Sequence, residues 1–226
     1  MKFLGIIPAR GGSKGVKKKN IRLVNNKPLI GYTIEAAQKS KLLTDFLVTT
    51  DSDEIIDVIK KYNCNYQRRS SKNAQDKTPI EPVLVEVLEN ITKQYDGVIL
   101  LQPTAPARTA EDIDNVIQMF SVDKNVACVV SVVELEDIHP ARMYTIDKNM
   151  LQPLQKENEK KRRQDLAPVY LRNGCIYAIT TKAFLEHKKL ILDTKKPYIM
   201  PESKWINIDT ERDLLVAETL LKHYGY

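Results

Sequence analysis

The apolar positions of the chain follow two different periods. Short apolar runs predict strands at 2–8, 46–50, 98–101, 126–133 and 175–179. Between these runs, apolar residues recur every three or four positions, which predicts helices from Pro28, after Asp51 and Ser52, over 79–92, from Thr109 to Phe120 and after Thr210. This alternation predicts a doubly wound α/β fold with a mostly parallel sheet, whose ligands bind at the carboxyl ends of the strands. Three loops, at 9–20, 102–108 and 207–213, are expected to follow strands and to carry the chemistry.

The alternation stops between about 134 and 172. This segment is polar, contains prolines, and carries the charged run Lys156–Arg163. We interpret it as an arm that leaves a single domain spanning 1–226, and that serves dimerisation or substrate binding. For its centre, 155–161, a surface loop without a partner is the alternative interpretation.

Composition narrows the function classes. Lys and Arg number 35 against 29 Asp and Glu, a net charge of +6 that is spread along the chain, with dense clusters at Lys17–Lys19 and Lys160–Arg163. No aromatic residues interleave with the first cluster, so an acidic small substrate explains the charge better than a nucleic acid. Three separated cysteines indicate a reduced, cytoplasmic protein. We see neither a targeting peptide nor an apolar run of membrane-spanning length, and therefore expect no membrane partner.

The most specific motif follows the first strand. The segment Ala9–Gly15 contains three glycines together with Arg10 and Lys14, and the lysines of 17–19 come directly after it. Glycines let several backbone N–H groups point into one concavity, and the cations add positive charge around it. The loop therefore predicts a polyphosphate cradle, although its spacing matches neither a Walker A loop nor G-x-G-x-x-G.

Four motifs together resemble a known family. They are Ile7–Gly15 with Lys19-Asn20, Leu100–Arg108, Arg163-Gln164 with Arg172–Tyr177, and Ile208–Leu214. In this order, they resemble the signatures of the acylneuraminate cytidylyltransferases, which include the CMP-sialic acid synthetases and the bacterial CMP-nonulosonic acid synthetases. The resemblance implies a nucleotide-diphospho-sugar transferase (Rossmann-like) fold, a homodimer, and Mg²⁺ as cofactor, with Mn²⁺ as a substitute.

The implied reaction transfers CMP from CTP to the anomeric hydroxyl of a nonulosonic acid of the sialic, legionaminic or pseudaminic type, and releases pyrophosphate. Such chemistry needs charge neutralisation, a metal and in-line positioning. Three alternatives stay open: activation of the eight-carbon acid KDO, another sugar nucleotidyl transfer, and a nucleotide-binding module that has lost its catalysis.

The resemblance also implies roles for individual residues. Arg10 and Lys19 hold the triphosphate and act in catalysis with Asp209, and Asn20 contacts ribose or phosphate. The remaining nucleotide-binding candidates are Ala9, Gly11, Gly12, Ser13 and Thr78. For Lys19 a solvated loop lysine is the alternative, and for Thr78 a helix cap.

Substrate and metal candidates come from the later motifs. The substrate-binding candidates are Gln102, Arg108, Arg142, Arg163 and Asn173. The resemblance implies that Arg142 and Arg163 reach the sugar carboxylate of a neighbouring subunit, and a surface salt bridge is the alternative for each. Asp209 is the metal candidate, with a helix cap as its alternative. Asn207 stands where the family usually has a second Asp, so we expect weaker metal binding.

Overall fold

The computed structural model describes residues 1–135 and 137–226, and it follows the predicted alternation. Its strands are β1 (Phe3–Pro8), β2 (Leu23–Val24), β3 (Lys27–Pro28), β4 (Asp45–Thr50), β5 (Tyr66–Arg68), β6 (Gly97–Leu100), β7 (Cys128–Leu135), β8 (Tyr144–Asp147), β9 (Met150–Pro153), β10 (Val169–Thr180) and β11 (Lys196–Met200). Its α-helices are α1 (Leu29–Lys39), α2 (Asp53–Lys61), α3 (Ile80–Glu89), α4 (Ala110–Val122), α5 (Thr181–His187) and α6 (Glu211–His223).

The central sheet has the strand order β11-β7-β10-β6-β1-β4-β5. Strand β1 pairs in parallel with β4 and β6, and β4 in parallel with β5. Strand β10 runs antiparallel to both of its neighbours, while β11 is again parallel to β7. The predicted mostly parallel sheet is therefore confirmed, with one reversed strand. Apolar side chains of β1 and β6 are buried on both faces, as in sheets covered by helices.

Side-chain caps fix where the helices begin. Ser52 caps α2, with its hydroxyl accepting a hydrogen bond from the Ile55 amide. Thr109 begins α4 and Thr210 begins α6, each in a reciprocal capping box with the aspartate three residues later. Because Ser52 takes the capping role, the neighbouring Asp51 stays available to hold the glycine loop.

The segment at 207–213 does not follow a strand, contrary to the prediction. Strand β11 ends at Met200, and a short 3₁₀ helix, Glu202–Lys204, intervenes before an extended stretch. That stretch reaches the sheet through the Ile208 amide, which donates to the Thr104 carbonyl at 2.9 Å. The loop after β6 thus holds the segment in place, a tertiary contact that periodicity does not reveal.

The predicted arm leaves the sheet between β7 and β10. At the base of the arm, β7 pairs with β10, with Leu135 opposite Val169. The arm also contains the β8–β9 hairpin. The hairpin exposes apolar side chains, among them Ile146 (74%) and Met150 (65%). Within the described residues, the structure contains no helix with the length and apolarity that a bilayer crossing requires.

Candidate active site

A cleft of about 490 Å³ opens beyond the carboxyl ends of β1 and β6. The segments that line it come from the glycine loop, the loop after β6, the stretch before α3 and the segment before α6. Predicted residues brought together here are Arg10, Ser13, Lys19, Asn20, Thr78, Gln102, Asn207 and Asp209. Carboxyl ends of parallel strands are the expected ligand position in this class of sheet.

Backbone contacts shape the glycine loop. The Ala9 amide donates to the Thr49 carbonyl at 3.0 Å, and the Gly11 amide donates to Asp51 Oδ1 at 2.9 Å. Ala9 is fully buried, so it supports the loop from below. The Gly11 amide is thus bound within the protein, and neither Gly11 nor Gly12 lines the cleft, so their phosphate contacts stay predictions.

Close approach explains why a glycine stands at position 15. A Cβ atom there would lie 2.2 Å from the carbonyl oxygen of Asp209. The glycine loop therefore lies directly against the segment before α6. The next residue, Val16, is fully buried in an apolar cluster with Ile206 and Ile208, which fixes this contact from the other side.

Cations of the loop meet a carboxylate at the rim of the cleft. Arg10 Nη1 and Lys14 Nζ each lie 2.5 Å from an Asp76 oxygen. The hydrogen bond from Lys14, with the charges of Lys14 and Arg10, lowers the pKa of Asp76 below its ordinary value. Asp76 thus occupies a position in which a bound phosphate would compete for the same two cations.

Lys19 joins the glycine loop to the metal candidates. Its Nζ donates to the Ile208 carbonyl at 2.8 Å and to Asp209 Oδ1 at 2.9 Å, and its side chain is only 16% exposed. The extended stretch alternates, with Ile206 and Ile208 buried and with Asn207 and Asp209 exposed on the cleft side. Asn207 Nδ2 donates to Asp209 Oδ2 at 2.7 Å. The side chains of Asn207 and Asp209 therefore lie side by side at the cleft.

These donors fit a metal that arrives with a nucleotide better than a preformed metal centre. The residues that the structure describes contain no group of three or more Asp, Glu, His or Cys side chains suited to a metal. The segment before α6 offers one carboxylate and one amide carbonyl to the cleft, those of Asp209 and Asn207, and Mg²⁺ commonly binds through one or two carboxylates together with substrate phosphates. Asp209 and Asn207 can thus hold Mg²⁺ only with oxygens from the ligand.

A second cleft of about 690 Å³ adjoins the first and shares Gln102 and Asn207 with it. Gly174, at φ +75°, stands at this boundary, where a Cβ would lie 3.4 Å from Gln102 Oε1 and 3.6 Å from Asn207 Oδ1. The other walls combine aromatic and cationic side chains: Arg172, Tyr177, Trp205 and Arg212. Two clefts with a common wall can hold two reactants in contact.

Two predicted substrate residues lie beneath the clefts instead of at their surface. Arg108 is 2% exposed, and its guanidinium donates to the Cys175 carbonyl at 2.5 Å and to the Thr33 hydroxyl at 2.7 Å. Asn173, also 2% exposed, accepts a hydrogen bond from the Ser131 hydroxyl at 2.6 Å. The bonds of Arg108 join the loop before α4 to β10 and α1, and the bond of Asn173 joins β10 to β7, so both side chains hold the fold together and their ligand contacts stay predictions.

Buried Asn20 also holds backbone, because its amide donates to the Arg10 carbonyl at 3.0 Å. Arg142 and Arg163 lie in the arm and line neither cleft. Arg142 donates to the Lys161 carbonyl at 3.2 Å, and Arg163 contacts Asp137 at 2.7 Å. Their predicted contact with the substrate of a neighbouring subunit stays a prediction.

Sequence reasoning missed Arg69, a buried arginine that lines the first cleft. Its guanidinium donates to the Thr49 carbonyl at 3.1 Å, and burial lowers its pKa, against the opposing effect of Asp51. A buried arginine with few hydrogen bonds, facing a cleft, is costly to keep unless a ligand uses it. Its signal in the sequence was weak, because Arg68-Arg69 follows a strand of only three residues.

The fold and the cationic cleft define the class: a Rossmann-like α/β enzyme that binds a nucleotide at the carboxyl edge of its sheet. Residues 4–217 match a family model described as "Cytidylyltransferase". The chain belongs to this family, which confirms the resemblance and makes the protein a nucleotidyltransferase.

Two named relatives and one solved structure match nearly the whole chain. The CMP-N,N'-diacetyllegionaminic acid synthase of Legionella pneumophila is 34% identical over 98% of this chain and 97% of its own length. A pseudaminic acid cytidylyltransferase of Campylobacter jejuni is 31% identical over 98% and 97%. The solved structure of a CMP:2-keto-3-deoxy-manno-octonic acid synthetase complexed with CTP matches with a TM-score of 0.77 at 16% identity, over 99% of this chain and 100% of that one. At that identity the last match establishes the fold alone.

Proposed function

We propose that this cytidylyltransferase transfers CMP from CTP to the anomeric hydroxyl of a nonulosonic acid. The acceptor oxygen bonds to the α-phosphorus, the bond from that phosphorus to the bridging oxygen breaks, the hydroxyl proton is released, and pyrophosphate leaves. The observation that carries the proposal is the pair of contiguous clefts, one cationic and one partly aromatic, which meet at Gln102 and Asn207. Relatives of nearly equal length that carry such names support this acceptor class.

The first cleft holds the nucleotide in this proposal. Arg10 and Lys14 exchange Asp76 for phosphate oxygens, and Lys19, which is fixed by the Ile208 carbonyl, neutralises charge near the α-phosphate. Preorganised cations in a partly closed site stabilise the charge that develops during phosphoryl transfer. Asp209 and Asn207 would hold Mg²⁺, or Mn²⁺ in its place, and the metal would supply further charge neutralisation.

A second copy of the chain completes the site in this proposal. The exposed apolar side chains of the β8–β9 hairpin support an interface there, and Arg142 and Arg163 lie on the same arm. In such a homodimer these arginines reach the neighbouring acceptor cleft. In this proposal the reaction takes place in the cytoplasm, where CTP is available.

The test is pyrophosphate release with CTP, Mg²⁺ and N-acetylneuraminic, legionaminic, pseudaminic and eight-carbon KDO acids in turn. Arg10→Ala and Lys19→Ala should each raise the KM for CTP about tenfold or more, since each removes a charge-assisted contact. Lys17→Ala is the matched control, because Lys17 is an exposed lysine of the same loop that lines neither cleft. CTP binding without turnover of any acid refutes the proposed transfer and indicates a nucleotide-binding module.

A further inference from the structure

The arginines of this chain divide into those with a partner and those without one. Of ten arginines, eight have a hydrogen bond or ion pair with described residues: Arg10, Arg22, Arg68, Arg69, Arg108, Arg142, Arg162 and Arg163. Arg172 and Arg212 have none within residues 1–135 and 137–226. Both line the second cleft. A pair of unpartnered guanidinium groups that share one cleft indicates an anion site.

The two side chains come from different elements of the fold. Arg172 lies on β10, where the register against β7 shifts between Arg172 and Tyr177. Arg212 lies in the first turn of α6, three residues beyond Asp209. The register shift and the positive φ of Gly174 direct this part of β10 toward the shared wall. Both cations therefore line the second cleft, whose wall at Gln102 and Asn207 is shared with the first.

In the described part of the chain, the carboxylate in the same cleft forms no salt bridge with either arginine. Asp213 Oδ2 accepts the amides of Asp209 and Thr210 at 3.0 and 2.8 Å, and these bonds lower its pKa, with a smaller contribution from the charge of Arg212. Its charge is thus committed to the start of α6 and to the segment that carries Asp209. Two positive charges then face the cleft with one engaged negative charge between the elements.

The remaining walls select among anions. Tyr177, Trp205, Val216 and Leu220 add apolar and aromatic surface to the cleft. A polyphosphate has no apolar surface to contact such a wall, whereas a sugar acid presents a carboxylate, a ring and acyl groups together. In a keto-acid sugar the carboxylate sits on the anomeric carbon, next to the attacking hydroxyl, so it must lie close to the boundary of the two clefts.

We propose that Arg172 and Arg212 of the same chain bind the carboxylate of the acceptor and so restrict the reaction to acid sugars. This inference rests on the proposed function. A guanidinium donates two parallel hydrogen bonds to a carboxylate, and two guanidinium groups from different elements fix its orientation as well as its charge. The carboxylate then orients the adjacent hydroxyl toward the α-phosphorus.

The experiment compares Arg172→Gln and Arg212→Gln with wild type, using the acid that wild type turns over best and the 1-carboxamide of that acid. Each variant should raise the KM for the acid about ten- to hundredfold, since each loses charge-assisted hydrogen bonds. The KM for CTP should stay within about twofold, and the loss should nearly vanish with the carboxamide, as a double-mutant cycle requires. Arg68→Gln is the matched control, an exposed arginine on edge strand β5 that pairs with Asp53.

Several results overturn the inference. It fails if the variants leave the KM for the acid unchanged, or if the KM rises equally for the acid and the carboxamide. It also fails if the KM for CTP rises instead, because the two arginines would then bind phosphate. It also fails if only Arg142→Gln and Arg163→Gln discriminate between acid and carboxamide. If wild type turns over no acid, the proposed function fails separately. Calorimetric titration of N-acetylneuraminic acid into wild type and Arg172→Gln, with CDP present, then tests the carboxylate site by itself. Weaker binding to Arg172→Gln supports the site, and equal or undetectable binding refutes it.

Discussion

Gly15→Ala is the sharpest test of whether the reaction depends on the close contact between the glycine loop and the segment before α6. The new Cβ would lie 2.2 Å from the Asp209 carbonyl oxygen, a backbone atom that cannot rotate away. A relaxed contact between carbon and oxygen needs about 3.3 Å, so the loop and the segment must separate by roughly 1 Å. The substitution removes no charge and no hydrogen-bonding group.

A displacement of about 1 Å between catalytic groups costs on the order of 100-fold in rate. We therefore expect kcat/KM for CTP to fall by about that factor, with most of the fall in kcat, because Lys19 and Asp209 move apart while the loop keeps its cations. The measurement is initial-rate pyrophosphate release at several CTP concentrations, together with a thermal melt that confirms folding.

Gly12→Ala supplies the matched control. It lies in the same loop and removes the same glycine flexibility, but its Cβ would meet no atom within 4 Å. Its loss in kcat/KM should be at least tenfold smaller than that of Gly15→Ala. Equal rates for the two variants would show that close contact between the loop and Asp209 has no part in the reaction.

Two further predictions concern single polar groups. Asn207→Asp places a second carboxylate beside Asp209 Oδ2, now 2.7 Å from the Asn207 amide, so the Mg²⁺ concentration for half-maximal rate should fall several-fold; an unchanged value in a Mg²⁺ titration locates residue 207 away from the metal. Asp112→Asn leaves Lys204 without its buried partner, 2.7 Å away, and should cost about 3–5 kcal/mol in urea unfolding. The pKa of Asp112 lies below its ordinary value. Burial alone would raise this pKa, but the hydrogen bonds from Lys204 and Thr109 outweigh the effect of burial. Its stabilisation is therefore present above about pH 4 and lost as pH falls further, so the variant should show a shallower loss of stability in acid than wild type, and an identical slope contradicts the assignment.

Apolar periodicity predicted the layers of this fold because each strand and helix buries its own side chains. Apolar periodicity could not predict the direction of β10, since a buried apolar run has the same pattern whether the strand is parallel or antiparallel. The arm was predicted from its polarity, yet the pairing of Leu135 with Val169 at its base depends on two segments far apart in the chain.

The candidate site shows the same division. Glycines and cations within one short loop allowed a phosphate cradle to be predicted, because all of its parts are adjacent in sequence. Arg108 belongs to a motif just as clear, but its direction depends on the Cys175 carbonyl and Thr33, which only the folded chain brings near. Arg172 and Arg212 were overlooked for a related reason, since only the absence of partners in the described part of the chain distinguishes them from other surface arginines.

Gln102 and Asn207 belong to both clefts, and this has a consequence for inhibition. In the proposed reaction, the coupled product would span the shared wall and occupy both clefts at once. A stable mimic that joins the two halves through a non-cleavable phosphonate should therefore compete with each substrate, and bind more tightly than either fragment because one entropy loss on association serves both.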